Sequence, residues 1–258
     1  MRKQSGAIIY SEQDWESKLL GKRIVRIQQF KLNRQGYKKK VSSTLLALNS
    51  FYEYCQKQSI EKIIARVKED DLATIHALEG AGFCSIECLL TFQRRHKQLL
   101  TENSLDHKIV SYDKNHLKDL KRIAAKAFRY SRFHSDPGIS HAQANLSRVQ
   151  WVINSCQGRA QKVFVAQKRN KAIGFVLCRG GLSSKTKKIG VIDLIAVDPA
   201  HKGKGLGREL VKAGVEFYAK RKLDLIVGTQ AKNIPSVNLY IKTGFRLINS
   251  QLTFVKYL

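Results

Sequence analysis

The stretch Gly190-Val191-Ile192-Asp193-Leu194-Ile195-Ala196-Val197-Asp198-Pro199-Ala200-His201-Lys202-Gly203-Lys204-Gly205-Leu206-Gly207 decides the fold. Its first half is a run of β-branched and aliphatic residues, which predicts a strand. The amphipathic run from Leu206 to Lys220 predicts a helix. A strand, a glycine-rich turn and a helix start, in that order, make an anion cradle. Glycines let successive backbone N–H groups turn toward one point, and the helix N-terminus adds the positive end of its dipole. Lys202 and Lys204 add positive charge, so the expected ligand carries phosphate.

The spacing separates this turn from two common phosphate loops. No Gly-Lys-Ser/Thr follows a four-residue spacer, and Gly203, Gly205 and Gly207 do not match G-x-G-x-x-G. Downstream, Leu225-Ile226-Val227-Gly228-Thr229 is a continuous apolar run of the kind found in buried parallel strands. Asn233 can cap a helix, with Pro235 tolerated in its first turn and Gly244 ending it.

Two motifs carry a resemblance. The turn is similar to the acetyl-CoA pyrophosphate loop of the GNAT superfamily of acyl-CoA N-acyltransferases, in which Gln or Arg is followed by x-x-G-x-G or x-x-G-x-A. Lys202 stands in the Gln/Arg place, a mild departure, and Gly205 and Gly207 stand in the glycine places. The stretch from Asn233 to Phe245 resembles the superfamily signature N-x-x-S/T-x-x-x-Y-x-x-x-G-F residue for residue. The resemblance covers residues 108–258. It implies an α/β fold of the GNAT type, with a central mixed, mostly antiparallel sheet, and an acetyl-CoA-dependent N-acetyltransferase that needs no metal.

The site residues follow from the same resemblance. Lys202, Gly203, Lys204, Gly205, Leu206 and Gly207 would hold the cofactor phosphates. Ile195, Ala196 and Val197 would offer a splayed strand edge to the pantetheine amides, as a sheet edge takes an added strand. Asn233 would contact the cofactor or simply cap its helix. Tyr240 would be the general acid for the departing thiolate: a phenol with a reference pKa of about 10 is a usable donor at neutral pH. Asp193 is a candidate base, and equally a structural carboxylate.

Composition sets the outer bounds. A chain of 258 residues can hold one large or two small domains. The net charge of +27 favours anionic partners and counts against polyamines and lysine-rich tails as acceptors. The basic residues are spread along the chain, with the densest clusters at Lys38-Lys39-Lys40 and from Lys185 to Lys188, both expected as loops. Cys55, Cys84, Cys88, Cys156 and Cys178 form no metal or disulfide pattern, and Met1 to Ala7 contains no apolar signal core. No run of about 18 apolar residues predicts a transmembrane helix. The expectation is a cytoplasmic protein with reduced thiols.

The chain also contains a degenerate copy of itself. Gly82 and Phe83 match Gly244 and Phe245, and Leu90, Thr91 and Phe92 match Leu252, Thr253 and Phe254, at a constant offset of 162 residues. The first copy has Asp71 where the second has Asn233, and Leu78 where the second has Tyr240; no glycine-rich turn precedes it. The expected organisation is a degenerate GNAT-like domain over residues 1–97 and a catalytic GNAT domain over residues 108–258, with a homodimer possible through exposed sheet edges.

A second resemblance concerns the acceptor. Asp14-Trp15-Glu16-Ser17-Lys18-Leu19-Leu20-Gly21-Lys22-Arg23-Ile24 is similar to the opening of sugar-nucleotide N-acetyltransferases of the dTDP-fucosamine type. Ser131, Arg132, Phe133 and His134 match a segment on the acceptor side of those proteins. The resemblance implies a nucleotide-linked amino sugar, of the dTDP- or UDP-4-amino-sugar type, as an anionic acceptor. For Trp15 and Phe133, core packing is the equal alternative. Acetylation of another small amine, an antibiotic or a peptide is the competing reading. A nucleic-acid-binding module is a third, and no nucleic-acid motif supports it.

Overall fold

The computed structural model describes residues 2–32, 36–96, 108–184 and 187–258. In chain order the elements are β1 (Arg2–Ser5), β2 (Ile8–Glu12), α1 (Asp14–Leu20), β3 (Ile24–Phe30), α2 (Tyr37–Lys57), β4 (Lys62–Lys68), α3 (Leu72–Gly80) and β5 (Cys84–Arg94). They continue with β6 (Lys108–Ser111), α4 (Leu117–Ala127), α5 (Arg132–Ser135), α6 (His141–Asn154), β7 (Lys162–Lys168), β8 (Lys171–Ser184) and β9 (Lys187–Val197). The chain ends with α7 (Leu206–Ala219), β10 (Leu225–Gln230), α8 (Ile234–Lys242) and β11 (Arg246–Tyr257). Among the described residues, no helix is long and apolar enough to cross a membrane.

Two compact units result, and neither is a single run of chain. The first holds Met1–Leu89, Arg132–Gln143 and Ser250–Leu258; the second holds Leu90–Ser131 and Ala144–Asn249. Each unit is thus completed by chain from the other half of the sequence. In the first, the strand order is β1-β2-β3-β4-β11-β5, with β3 parallel to β4 and the C-terminal strand antiparallel to β4 from Gln251↔Lys68 to Tyr257↔Lys62. Helices α2 and α3 cover one face, where Leu48, Phe51, Ile75 and Leu78 pack on Val25, Ile27, Ile63, Ala65 and Phe254.

In the second unit the order is β5-β10-β9-β8-β7-β6; β9, β8, β7 and β6 pair antiparallel in turn, and β10 runs parallel to β9. Both faces are covered. Leu206, Leu210, Val211 and Tyr218 of α7 pack on one side with Ile192 and Val227. Leu120 and Ile123 of α4 and Val152 of α6 pack on the other with Phe175, Leu177 and Ala196. Close packing here relies on Gly190: a side chain there would overlap the Tyr218 ring.

The internal copy is structural as well as textual. At the 162-residue offset, α3 and α8 span equivalent residues. Their N-caps, Asp71 and Asn233, have φ/ψ of −88/64° and −87/63°. Both helices end in the same motif: Gly82 and Gly244 sit at φ of 78° and 80°, and Phe83 and Phe245 donate back to the carbonyls of Leu78 and Tyr240. A left-handed glycine followed by this return bond closes the exposed helix carbonyls.

Two local expectations change. Lys38, Lys39 and Lys40 open α2 rather than forming a loop, because Gly36 caps the helix and Lys40 reaches Asp71 at 2.7 Å. Of the second basic cluster, Lys185 lies outside the described residues, while Lys187 and Lys188 begin β9. Gly190→Ala is expected to cost about 1–3 kcal/mol of stability, as overpacking of a filled core does. An unchanged urea midpoint for that variant would contradict the packing described here.

Candidate functional site

The site begins where two strands part. Parallel pairing of β9 with β10 runs Gly190↔Leu225, Val191↔Ile226 and Ile192↔Val227, and stops there. Both strands continue, β9 to Val197 and β10 to Gln230. The cause is visible on the other edge of β9. Its partners on β8 step from Cys178↔Ile192 to Leu177↔Leu194, so Asp193 is an extra residue, a β-bulge. Asp193 and Leu194 consequently face the same side, toward α6 and α4, while Ile192 and Ile195 face α7. A bulge bends its strand, and backbone groups of Ile195, Ala196 and Val197 that a neighbouring β10 would have used are left on an open edge. Such an edge can pair with the amides of an extended ligand.

The glycine turn follows directly. Asp198 fixes its start: the carboxylate accepts from the Ala200 N–H at 3.1 Å and pairs with Arg122. Burial pushes this carboxyl up, but those two partners together hold it below the usual carboxylate range. Gly203 and Gly205 both lie at φ 78°, and Gly205 is the N-cap of α7. The first helical bonds to the Gly205 carbonyl come from Arg208 and Glu209. The N–H groups of residues 203–207 therefore precede the helical ladder, at the positive end of the helix dipole. Lys202 and Lys204 are exposed, and His201 Nδ1 is buried without a partner among the described residues. This donor set and orphaned ring nitrogen suit a phosphate-bearing ligand. Gly207 has a different task, since a Cβ there would come within 3.3 Å of Leu239 on α8.

Asn233 and Tyr240 lie at the two ends of α8. Asn233 occupies the N-cap position but makes no side-chain cap bond; its amide donates instead to Thr229 Oγ1 at 3.1 Å. Its counterpart Asp71 does cap, accepting from Thr74 N–H at 3.3 Å and Thr74 Oγ1 at 2.8 Å. Tyr240 is buried between Phe92 and Phe245, at ring distances of 6.0 and 5.8 Å. Burial pushes its phenol pKa upward, which keeps the group protonated and able to donate.

Asp193 is fully engaged. It accepts from Trp151 Nε1 at 2.8 Å and pairs with Arg159 at 3.2 Å and Arg179 at 3.3 Å. The Arg159 guanidinium also lies 4.1 Å from the Trp151 ring. These contacts fit the structural alternative for Asp193.

The acceptor segment divides between the units: Ser131 falls in the second, Arg132, Phe133 and His134 in the first. Arg132 forms a two-pronged pair with Glu16, one arm at 2.8 Å. Phe133 is buried edge-on against Trp15 at 6.1 Å. His134 lies 6.2 Å from His141, ring to ring, and Ser131 is buried. Sequence reasoning missed the residues that hold this segment, Glu16, Lys62 and Asp136. Their signal was present: Lys62 directly precedes the apolar run Ile63-Ile64-Ala65, where an unpaired lysine would be costly.

The caps generate a direct comparison. Asp71→Ala is expected to lose about 1 kcal/mol of stability, the usual worth of an N-cap. Asn233→Ala is expected to lose only a few tenths, since no cap bond disappears. Equal losses in chemical denaturation would contradict this difference.

Comparison with known proteins agrees with this geometry. The acetyltransferase (GNAT) family model matches residues 118–245. Spore coat polysaccharide biosynthesis protein SpsD of Bacillus subtilis is 25% identical over 241 residues, covering 93% of this chain and 80% of that protein. The dTDP-fucosamine acetyltransferase of Escherichia coli O6:H1 is 24% identical over 186 residues, covering 71% and 76%. A GCN5-related N-acetyltransferase structure from Kribbella flavida superimposes with a TM-score of 0.65 over 99% of this chain and 89% of that one, at 9% identity. One from Sphaerobacter thermophilus gives 0.64 over 97% and 76%, at 12% identity. The bulged and splayed strand, the glycine turn and the duplicated strand–helix–strand thus belong to a member of the GNAT acetyltransferase family.

Proposed function

We propose that this chain transfers the acetyl group of acetyl-CoA to the amine of a nucleotide-linked amino sugar, with the second unit holding the cofactor. The observation that carries the reading is the junction of an open strand edge at residues 195–197 with the glycine turn at residues 203–207. The sugar-nucleotide part is supported by two relatives, one named for polysaccharide biosynthesis and one for dTDP-fucosamine acetylation, and by the +27 charge. Residues 108–258 would form the catalytic domain and residues 1–97 a degenerate relative without the cofactor turn.

Acetyl-CoA would supply an activated thioester. In this reading the turn's N–H groups, Lys202 and Lys204 neutralise its phosphates, and the open edge aligns its amide arm. Asn233, freed from capping, offers its side-chain amide as a further contact. Tyr240, kept neutral by its apolar surroundings, gives its proton to the leaving sulfur. Asp193 keeps the bulge in place through Trp151, Arg159 and Arg179, so the incoming amine loses its proton to solvent. The segment from Ser131 to His134 would shape the acceptor side from its anchorage at Glu16 and Trp15.

Three measurements follow. Tyr240→Phe is expected to lower kcat by about 10²-fold or more, the usual worth of a positioned proton donor, with acetyl-CoA affinity unchanged. Near-normal turnover would remove Tyr240 from the chemistry. Asp193→Asn is expected to keep the wild-type pH profile of kcat/KM; loss of the alkaline-rising limb would make Asp193 the base. In a thiol-release assay, turnover is expected on dTDP- or UDP-linked amino sugars and absent on polyamines and lysine peptides. Turnover on the latter alone would overturn the acceptor assignment.

A further inference from the structure

The sheet of the first unit has a charged face. Arg26 lies between Val25 and Ile27, and Arg66 between Ala65 and Val67, all four in the apolar cluster under α2 and α3. Side chains alternate along a strand, so both arginines point to the opposite face. There Arg26 Nη2 lies 3.3 Å from Glu16, which also takes the two-pronged pair from Arg132. Arg66 reaches Glu87 at 3.1 Å and Thr253 Oγ1 at 3.0 Å. Lys62 pairs with Asp136, which also accepts from the Tyr257 hydroxyl at 2.6 Å.

The charges in this network do not balance. Among the described residues, ion pairs join Arg26, Lys62, Arg66 and Arg132 to Glu16, Glu87 and Asp136, four cations to three carboxylates. Lys62 and the three carboxylates are the buried part, with side-chain exposures of 0% for Lys62 and 6%, 1% and 2% for Glu16, Glu87 and Asp136, whereas Arg26 and Arg66 are each 26% exposed. Arg26 Nε is buried without a partner among the described residues. Burial first, and then the Arg132 guanidinium, push the Arg26 pKa down to about 10. With one cation in excess and the Arg26 Nε–H unpartnered, this face of the sheet has donor capacity left for an anion. Arg66 stands two residues past Ile64, the cross-strand partner of Arg26, so two planar forks share one face, and they match the several acceptor oxygens of a phosphate better than they match any single neutral group.

We propose that Arg26 and Arg66 form a binding site for a phosphoanion, the phosphate or diphosphate group of a small molecule, on the first unit. The site lies in the copy that lacks the glycine turn and so differs from the cofactor site. Only the source of the phosphoanion leans on the acetyl-transfer reading: it is either the diphosphate of the acceptor's nucleotide carrier or free pyrophosphate.

Calorimetry on the full chain tests this. CoA is titrated first, which fills the glycine turn and tests the cofactor site separately. Inorganic pyrophosphate and dTDP are then titrated, each into CoA-loaded protein. One saturating site is expected. Arg26→Gln and Arg66→Gln should each weaken it at least about tenfold, and Arg26→Lys, which keeps charge but loses the fork, should weaken it several-fold. CoA affinity and melting temperature should stay at wild-type values in Arg26→Lys. dTDP binding about tenfold tighter than pyrophosphate would identify a nucleotide carrier, and equal affinities a free phosphoanion; both support the site. Absence of saturable binding to wild-type protein, or equal affinity in all variants, overturns it. Failure of CoA to bind counts against the acetyl-transfer reading, while the comparison of arginine variants still decides this site.

Discussion

Backbone pairing between β9 and β10 ends at Ile192 and Val227, and the candidate site depends on that ending. A parallel ladder carried to the ends of both strands would satisfy the backbone of Ile195, Ala196 and Val197 internally and leave no edge for a ligand. The bulge at Asp193 prevents it by bending β9 away at the point where the ladder stops. Asp193 is fixed by Trp151 from α6, Arg159 and Arg179. A residue that reads in the sequence as a candidate base or a structural carboxylate thus sits, with these three contacts, at the bulge itself.

The duplicated half shows which parts of this geometry are architecture and which are chemistry. In the first unit β3 and β4 also stop pairing early, at Ile27↔Ala65, and Ala65 is the equivalent of Val227. The capped helix and its left-handed glycine are retained as well. These features cost nothing to keep, because they are ordinary solutions for ending strands and helices. The differences lie in side chains. Asp71 spends its carboxylate on the helix N-terminus and on Lys40, whereas Asn233 leaves the cap position unbonded and turns to Thr229. Leu78 fills with hydrocarbon the place where the second copy holds a phenol.

Much of this was legible in the sequence because local rules and long-range packing agree. The apolar run before the turn, the glycines at positive φ and the Gly-Phe helix ends carry their geometry in residue type. The repeat was legible because its offset is unbroken. Three features were not legible, for definite reasons. The bulge shifts register without a distinctive residue, since Asp193 reads equally as a catalytic carboxylate. The unit boundaries follow spatial neighbours, so residues 132–143 and 250–258 leave their half of the sequence. Arg132 and Phe133 lie in a segment that resembles one of sugar-nucleotide N-acetyltransferases, and their side chains contact Glu16 and Trp15. Motif matching reports which residues recur and is silent on whether they touch a ligand or hold the segment that does.

The central claim is that an unpaired strand edge and the adjacent glycine turn together receive acetyl-CoA. Amide hydrogen exchange with and without acetyl-CoA tests it most directly, because it reads the backbone groups in question. The account predicts added protection concentrated at residues 195–197 and 203–207, with α2 and α3 of the first unit unchanged. Protection confined to other segments, or none at saturating acetyl-CoA, would contradict it.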